Sequence, residues 1–155
     1  MKPNYLTILI TTLCIFFNAC HNSNTAPQLQ LADSLIDKRA DSALCILEKL
    51  SIEEISNKSA KAMYALLLTE ALDKNFKSHR NDSLILIAVD YYKDNSNNKL
   101  KTKAYYYLGR VYQDNKEYIK ATEAYLTALK TASPNQAPIL QIYNNLALCL
   151  SLIHI

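Results

Sequence analysis

The stretch that decides the fold runs from Thr102 to Pro134 and reads TKAYYYLGRVYQDNKEYIKATEAYLTALKTASP. Tyr105, Leu108 and Tyr112 recur at three- and four-residue steps, the period of one face of an α-helix. After a polar break, Ala121, Tyr125 and Ala128 repeat that period. The spacing predicts two helices packed as a hairpin. Gly109 is the one glycine of the chain, and it falls inside the first helix. A glycine there costs about 1 kcal/mol against alanine, so a compensating contact is expected: close approach of the second helix, with Ala121 opposite.

An aromatic, a Leu-Gly pair, a Tyr, then Ala, an aromatic, Ala and a closing Pro form the signature of the tetratricopeptide repeat. Tyr105 stands for the usual Trp. Leu108, Gly109, Tyr112, Ala121, Tyr125 and Ala128 fall at the matching places, and Pro134 comes one residue late. The chain therefore resembles the tetratricopeptide repeat lipoproteins of Bacteroides-type bacteria, most closely from Leu84 to Leu148. The resemblance implies an all-α fold, an α-solenoid of stacked antiparallel helical hairpins. It also implies a concave groove lined by the first helix of each pair. The groove-facing places fall at Lys103, Tyr106, Arg110 and Gln113. They combine a cation, a planar aromatic and a guanidinium fork, suited to a carboxylate or a peptide backbone. Within the tyrosine run, Tyr105 is expected in the core, Tyr106 in the groove and Tyr107 against the neighbouring hairpin.

Upstream, residues 28–50 read as a first hairpin. Leu31, Leu35 and Ile36 make one face, Lys38 and Arg39 close the helix, and Asp41 or Ser42 caps the next, which Ala43, Leu44, Leu47 and Leu50 carry. A polar connection, 51–57, leads to a long helix over 58–75 with Ala62, Ala65, Leu66, Leu68, Thr69 and Leu72 on its apolar surface. A basic loop, 74–80, precedes a helix capped by Asn81 or Asp82 and carried by Leu84, Ile87, Ala88 and Tyr91. Asp41-Ser42 and Asp82-Ser83 recur at a spacing near 40 residues, a loose internal repeat of stacked units. Both earlier units lack the Leu-Gly pair. Residues 139–149 begin a fourth unit, so the helical-repeat domain is expected over 28–149.

The N-terminus has a different composition. Lys2 precedes an almost unbroken apolar run, Tyr5 to Phe17, which is short for a membrane span of about 20 residues and suits an export signal over 1–19. It stops at Phe17-Asn18-Ala19-Cys20, and a small residue before a cysteine resembles the bacterial lipobox. That resemblance implies a lipidated Cys20, a polar tether over 20–27, and a protein held in the cell envelope, as an outer membrane lipoprotein facing the periplasm. Ordinary secretion or a retained anchor, and a buried core helix, are the other readings. At the far end, Leu150 to Ile155 matches a translation of the sequencing adapter CTG TCT CTT ATA CAC ATC. Residues 150–155 are read as adapter read-through on a longer natural protein, against a genuine apolar tail.

Composition narrows the chemistry. Of the 155 residues half are apolar, and the formal charge of +3 includes no basic run, so nucleic-acid binding is not expected. Cys14, Cys45 and Cys149 form no C-x-x-C pair, which leaves no zinc or redox motif; Cys45 reads as a small buried hydrophobe. His21, His79 and His154 lie in the tether, a loop and the tail, none beside a ligand or base at helical spacing. Glu53-Glu54 reads as a solvated linker. With one glycine there is no phosphate loop. No catalytic residue, metal ligand or cofactor is assigned, and the chain is expected to be a non-catalytic scaffold that binds a protein or peptide. The alternative makes these the N-terminal sensor repeats of a longer transmembrane signalling regulator. Asp33-Ser34-Leu35, Asp41-Ser42-Ala43 and Asp82-Ser83-Leu84 also resemble an O-glycosylation sequence of the Bacteroidetes, although helix capping accounts for the last two.

Overall fold

The computed structural model describes residues 25–79, 81–133 and 138–153. The expectations for Cys14, Cys20, His21, Pro134 and His154 lie outside the described residues. Within them there are seven helices and no strand: α1 (Thr25–Leu35), α2 (Ala40–Leu47), α3 (Lys58–Lys74), α4 (Ser83–Tyr92), α5 (Asn98–Asp114), α6 (Tyr118–Thr131) and α7 (Ile139–Ile153). The fold is all-α. Among the described residues no helix is long and apolar enough to cross a membrane.

Local chemistry sets the helix ends. Asn57 opens α3 by accepting from the N–H groups of Ser59 at 2.8 Å and Ala60 at 3.3 Å, and Asn97 opens α5 by accepting from Leu100 at 3.2 Å. At α4 the working side chain is Asn81, which accepts from the Ser83 N–H at 3.1 Å; Asp82 makes no capping bond. The expected cap at α2 is also absent. That helix follows Arg39, so Asp41 lies in its first turn and favours it through the helix dipole instead. α1 begins at Thr25, ahead of the expected boundary at 28, because Pro27 sits in the first turn, where no N–H partner is required.

The C-terminal ends of α3 and α5 share one device. Phe76 and Lys116, forty residues apart, take φ of 55° and 62°. The Phe76 N–H donates to Asp73 O at 3.0 Å and the Lys77 N–H to Leu72 O at 3.0 Å. The Lys116 and Glu117 N–H groups repeat this to Gln113 O at 3.0 Å and Tyr112 O at 2.8 Å. Both are Schellman caps, with a bulky residue where glycine is usual.

Each helix packs on its sequence neighbours, most extensively α5 on α6, while α1 also meets α3 and α3 meets α5. Three apolar clusters result. Leu29, Ala32 and Ile36 join Ala43, Leu44, Leu47, Tyr64 and Leu67, with Ile55 pinning the 48–57 connection. Ala62, Leu66, Ile85, Val89, Tyr107 and Val111 fill the space between α3, α4 and α5. Ala121, Tyr125, Ala128, Ile142 and Cys149 join α6 to α7.

The signature hairpin forms at the expected place, with Leu108, Gly109, Ala121, Tyr125 and Ala128 buried and Tyr105 and Tyr112 half-buried. Its closest contact differs from expectation. A methyl built on Gly109 would lie 2.6 Å from Cδ1 and 2.8 Å from Cζ of Tyr125, so the tyrosine ring, rather than Ala121, occupies the space the glycine leaves. Tyr107 is the most buried of the tyrosine run, in the α3–α4–α5 cluster, and Tyr105 lies at a cluster edge. Leu31 is exposed because the 29-32-36 face of α1 takes the side that packs against α2 and α3. Ile87 is exposed, and Cys45 is exposed rather than buried, since Ala43, Leu44 and Leu47 face inward on α2.

Candidate functional site

One helical turn on α3 places Glu70, Asp73 and Lys74 together, and the facing turns of α5 bring Lys103, Tyr106, Arg110 and Gln113. The two helices lie side by side, so these residues form one strip. The Lys103 ammonium stands 2.5 Å from Glu70 Oε2, and Lys74 stands 3.2 Å from Glu70 Oε1. Glu70 is buried between the two lysines; its Oε2 accepts no hydrogen bond of regular geometry, and the Lys103 charge compensates it. Lys74 continues outward to Asp37 at 2.5 Å, beyond the end of α1. Further along, Arg110 Nε donates to Asp73 Oδ1 at 2.8 Å, and its Nη2 lies 4.0 Å from Asp114 Oδ1.

Polar contacts extend the strip across α6 and α7. The Tyr125 hydroxyl donates to Gln113 Oε1 at 2.8 Å. Asn145 Nδ2 of α7 reaches the Tyr106 hydroxyl at 3.5 Å. Tyr106 stacks edge-on against Tyr107, with ring centroids 4.9 Å apart.

Electrostatics follow from this pairing. Burial pulls the Arg110 guanidinium down, but Asp73, together with the Tyr125 and Tyr106 rings, more than offsets it and the group is held above its ordinary value. Lys74 behaves alike: burial lowers it, and Asp37 with Glu70 raise it further. The Lys74 hydrogen bond holds the Asp37 carboxyl below the usual range. Burial pushes the Tyr106 phenol up, and burial together with Glu70 does so for Tyr107.

The four expected groove residues therefore share one face of α5, and each has a partner within the chain. A strip of free cations awaiting a carboxylate is not what forms. Reading α5 alone shows Lys103 and Arg110; their counter-charges come from α3, and nothing in the linear spacing aligns the two helices.

His79 was expected in a loop without a partner. It is buried, and Nδ1 lies 2.8 Å from Asp114 Oδ2 while Nε2 lies 3.1 Å from the Thr69 carbonyl. The sequence carried no signal for this, because the partners stand ten and thirty-five residues away on different helices. Among the described residues no group of three or more His, Cys, Asp or Glu side chains is placed to share a metal ion. Such a strip can hold a polar or zwitterionic segment through paired charges, amides and phenols. Glu53 and Glu54 are exposed on the 48–57 connection, away from it. Comparison with protein-family models, with curated proteins and with solved structures finds no match to this chain.

Proposed function

We propose that the chain is a non-catalytic scaffold, an α-solenoid of tetratricopeptide type, that holds a protein or peptide partner along the α3–α5–α7 strip. The carrying observation is how the strip bridges its helices: Lys103–Glu70 and Arg110–Asp73 join α5 to α3, Tyr106–Asn145 joins α5 to α7, and Gln113 on the same face of α5 accepts from Tyr125 of α6. A partner laid across it meets alternating charge with one half-buried aromatic, a surface that orients an extended backbone rather than one acidic group. The envelope anchor rests on the sequence around Cys20.

Because Arg110 and Lys103 also hold α5 to α3, truncating them confounds binding with stability. A cleaner test replaces Tyr106 by the photo-crosslinker benzoylphenylalanine, a near-isostere at its base, with exposed Glu123 on α6 as the control position. Irradiation of whole cells should yield a discrete adduct from position 106 and none from 123. Adducts from 123 alone, or equal adducts from both, refute the strip. For the anchor, Cys20→Ala should abolish palmitate labelling and release the protein from membranes; unchanged labelling refutes it.

A further inference from the structure

We infer that the outward face of α1 rests on the phospholipid surface to which the chain is anchored, with Leu31 in the headgroup boundary and Lys38 and Arg39 against lipid phosphates. This contact rests on the anchor proposed at Cys20, and it names the side of the domain that turns toward the bilayer. Covalent reach confines that side. Five residue steps separate Cys20 from Thr25, where α1 begins, and fully extended they span about 18 Å. A lipidated Cys20 therefore keeps the start of α1 within about 18 Å of the headgroups, little more than the length of α1 itself, about 16 Å.

The chemistry of α1 selects the face. Asp33 is its one charged residue, and at about 100° per residue it points about 160° away from Leu31. Leu29 and Ala32, with Ile36 just beyond the helix, are buried toward α2 and α3. The other face carries Pro27, Gln28, Leu31 and Leu35, all within about 60° of Leu31. Pro27 and Gln28 are exposed, Leu35 is half-buried, and Leu31 is 51% exposed. In water the end layer of a helical stack carries a polar outer face, whereas this one is uncharged along the whole helix. Lys38 and Arg39 follow in the next turn, both exposed, and among the described residues neither pairs with a carboxylate; Asp37 beside them is taken by Lys74 at 2.5 Å. An apolar face followed by cations suits an interfacial helix, which settles about 5–10 Å into the boundary of headgroups and acyl chains while its cations meet phosphate. Leu140 and Tyr143 of α7 are exposed as well, but α3 to α6 stand between α7 and α1 in packing order.

Benzoylphenylalanine in place of Leu31 tests the contact in the full chain expressed in cells. Asp33, replaced in the same way, is the matched control. Both positions are exposed and two residues apart on different sides of one helix, so tether reach alone labels them alike. After irradiation, mass spectrometry should find phospholipid adducts about tenfold more abundant at 31 than at 33. The same replacement at Phe76 or Leu140 should give none. Lys38→Glu with Arg39→Glu should cut the yield at 31 severalfold. Helicity equal to the wild type shows that each variant folds, and palmitate labelling of the same samples reports the anchor. Labelled protein with equal adducts at 31 and 33, with none at 31, with adducts at 76 or 140 instead, or with a yield unmoved by the charge reversal overturns the α1 contact and leaves the anchor standing. Absent labelling removes both.

Discussion

Replacing Gly109 by alanine sets two effects against each other. Alanine is the better helix former by about 1 kcal/mol, and Gly109 lies well inside α5. On propensity alone Gly109→Ala would stabilise the protein. The added methyl would, however, lie 2.6 Å from Cδ1 and 2.8 Å from Cζ of Tyr125, about 1 Å inside ordinary carbon–carbon contact. Tyr125 is fully buried, and its hydroxyl is tethered to Gln113 Oε1 at 2.8 Å, so the ring cannot swing clear without breaking that bond. Overpacking of this kind costs about 1–3 kcal/mol, and loss of the Tyr125–Gln113 bond adds about 1 kcal/mol. The net expectation is a loss of about 1–3 kcal/mol. Equilibrium urea unfolding followed by helicity measures it, with an unchanged denaturant slope showing that the same surface is exposed. In a Tyr125→Leu background the obstructing ring is gone, and Gly109→Ala should become neutral or stabilising by up to about 1 kcal/mol. If Gly109→Ala stabilises the protein with Tyr125 in place, the helix contact argued above does not exist.

Phe76→Gly should act in the opposite direction. Phe76 is 98% exposed and takes φ of 55°, so nothing packs on it while its backbone is strained. Relief of about 1–2 kcal/mol in the left-handed region, less the greater unfolded-chain freedom of glycine, leaves a gain of about 0.5–1 kcal/mol; a lower unfolding midpoint contradicts this. At alkaline pH the buried phenols should govern stability. Burial pushes Tyr92 up to about 12 and Tyr107 and Tyr125 further. A group raised above its unfolded value stabilises fully below that value, here near 10, and loses the contribution as pH rises through the folded one. Tyrosinate absorbance of these rings should therefore appear together with loss of helicity above pH 10. Ionisation of all three in a still-helical chain would refute their burial.

Helix content and the α5–α6 hairpin were legible because a 3.6-residue period is a local property: Leu108, Gly109, Ala121, Tyr125 and Ala128 mark buried faces wherever the helices dock. The start of α3 also followed, because the polar connection before it ends at Asn57, whose side chain acts on amides two and three residues away. Less was legible where several apolar residues compete for one face. On α1, Leu31 and Leu29 are both candidates, and only the position of α2 and α3 selects Leu29.

By itself the sequence determined which segments coil, because that choice depends on neighbours within a few residues, and it marked the inward stripe of the α5–α6 hairpin, though not that of α1, where Leu31 stays exposed. It also placed Lys103, Tyr106, Arg110 and Gln113 on a common side of α5. Tertiary structure alone decided what those side chains meet: Glu70 beside Lys103, Asp73 beside Arg110, the Tyr125 ring over Gly109, and His79 folded back onto Asp114. The reason is physical. Charge and ring contacts act over a few ångströms between segments ten to forty residues apart, so their partners are fixed only once helix packing sets the axial offset of one helix against the next.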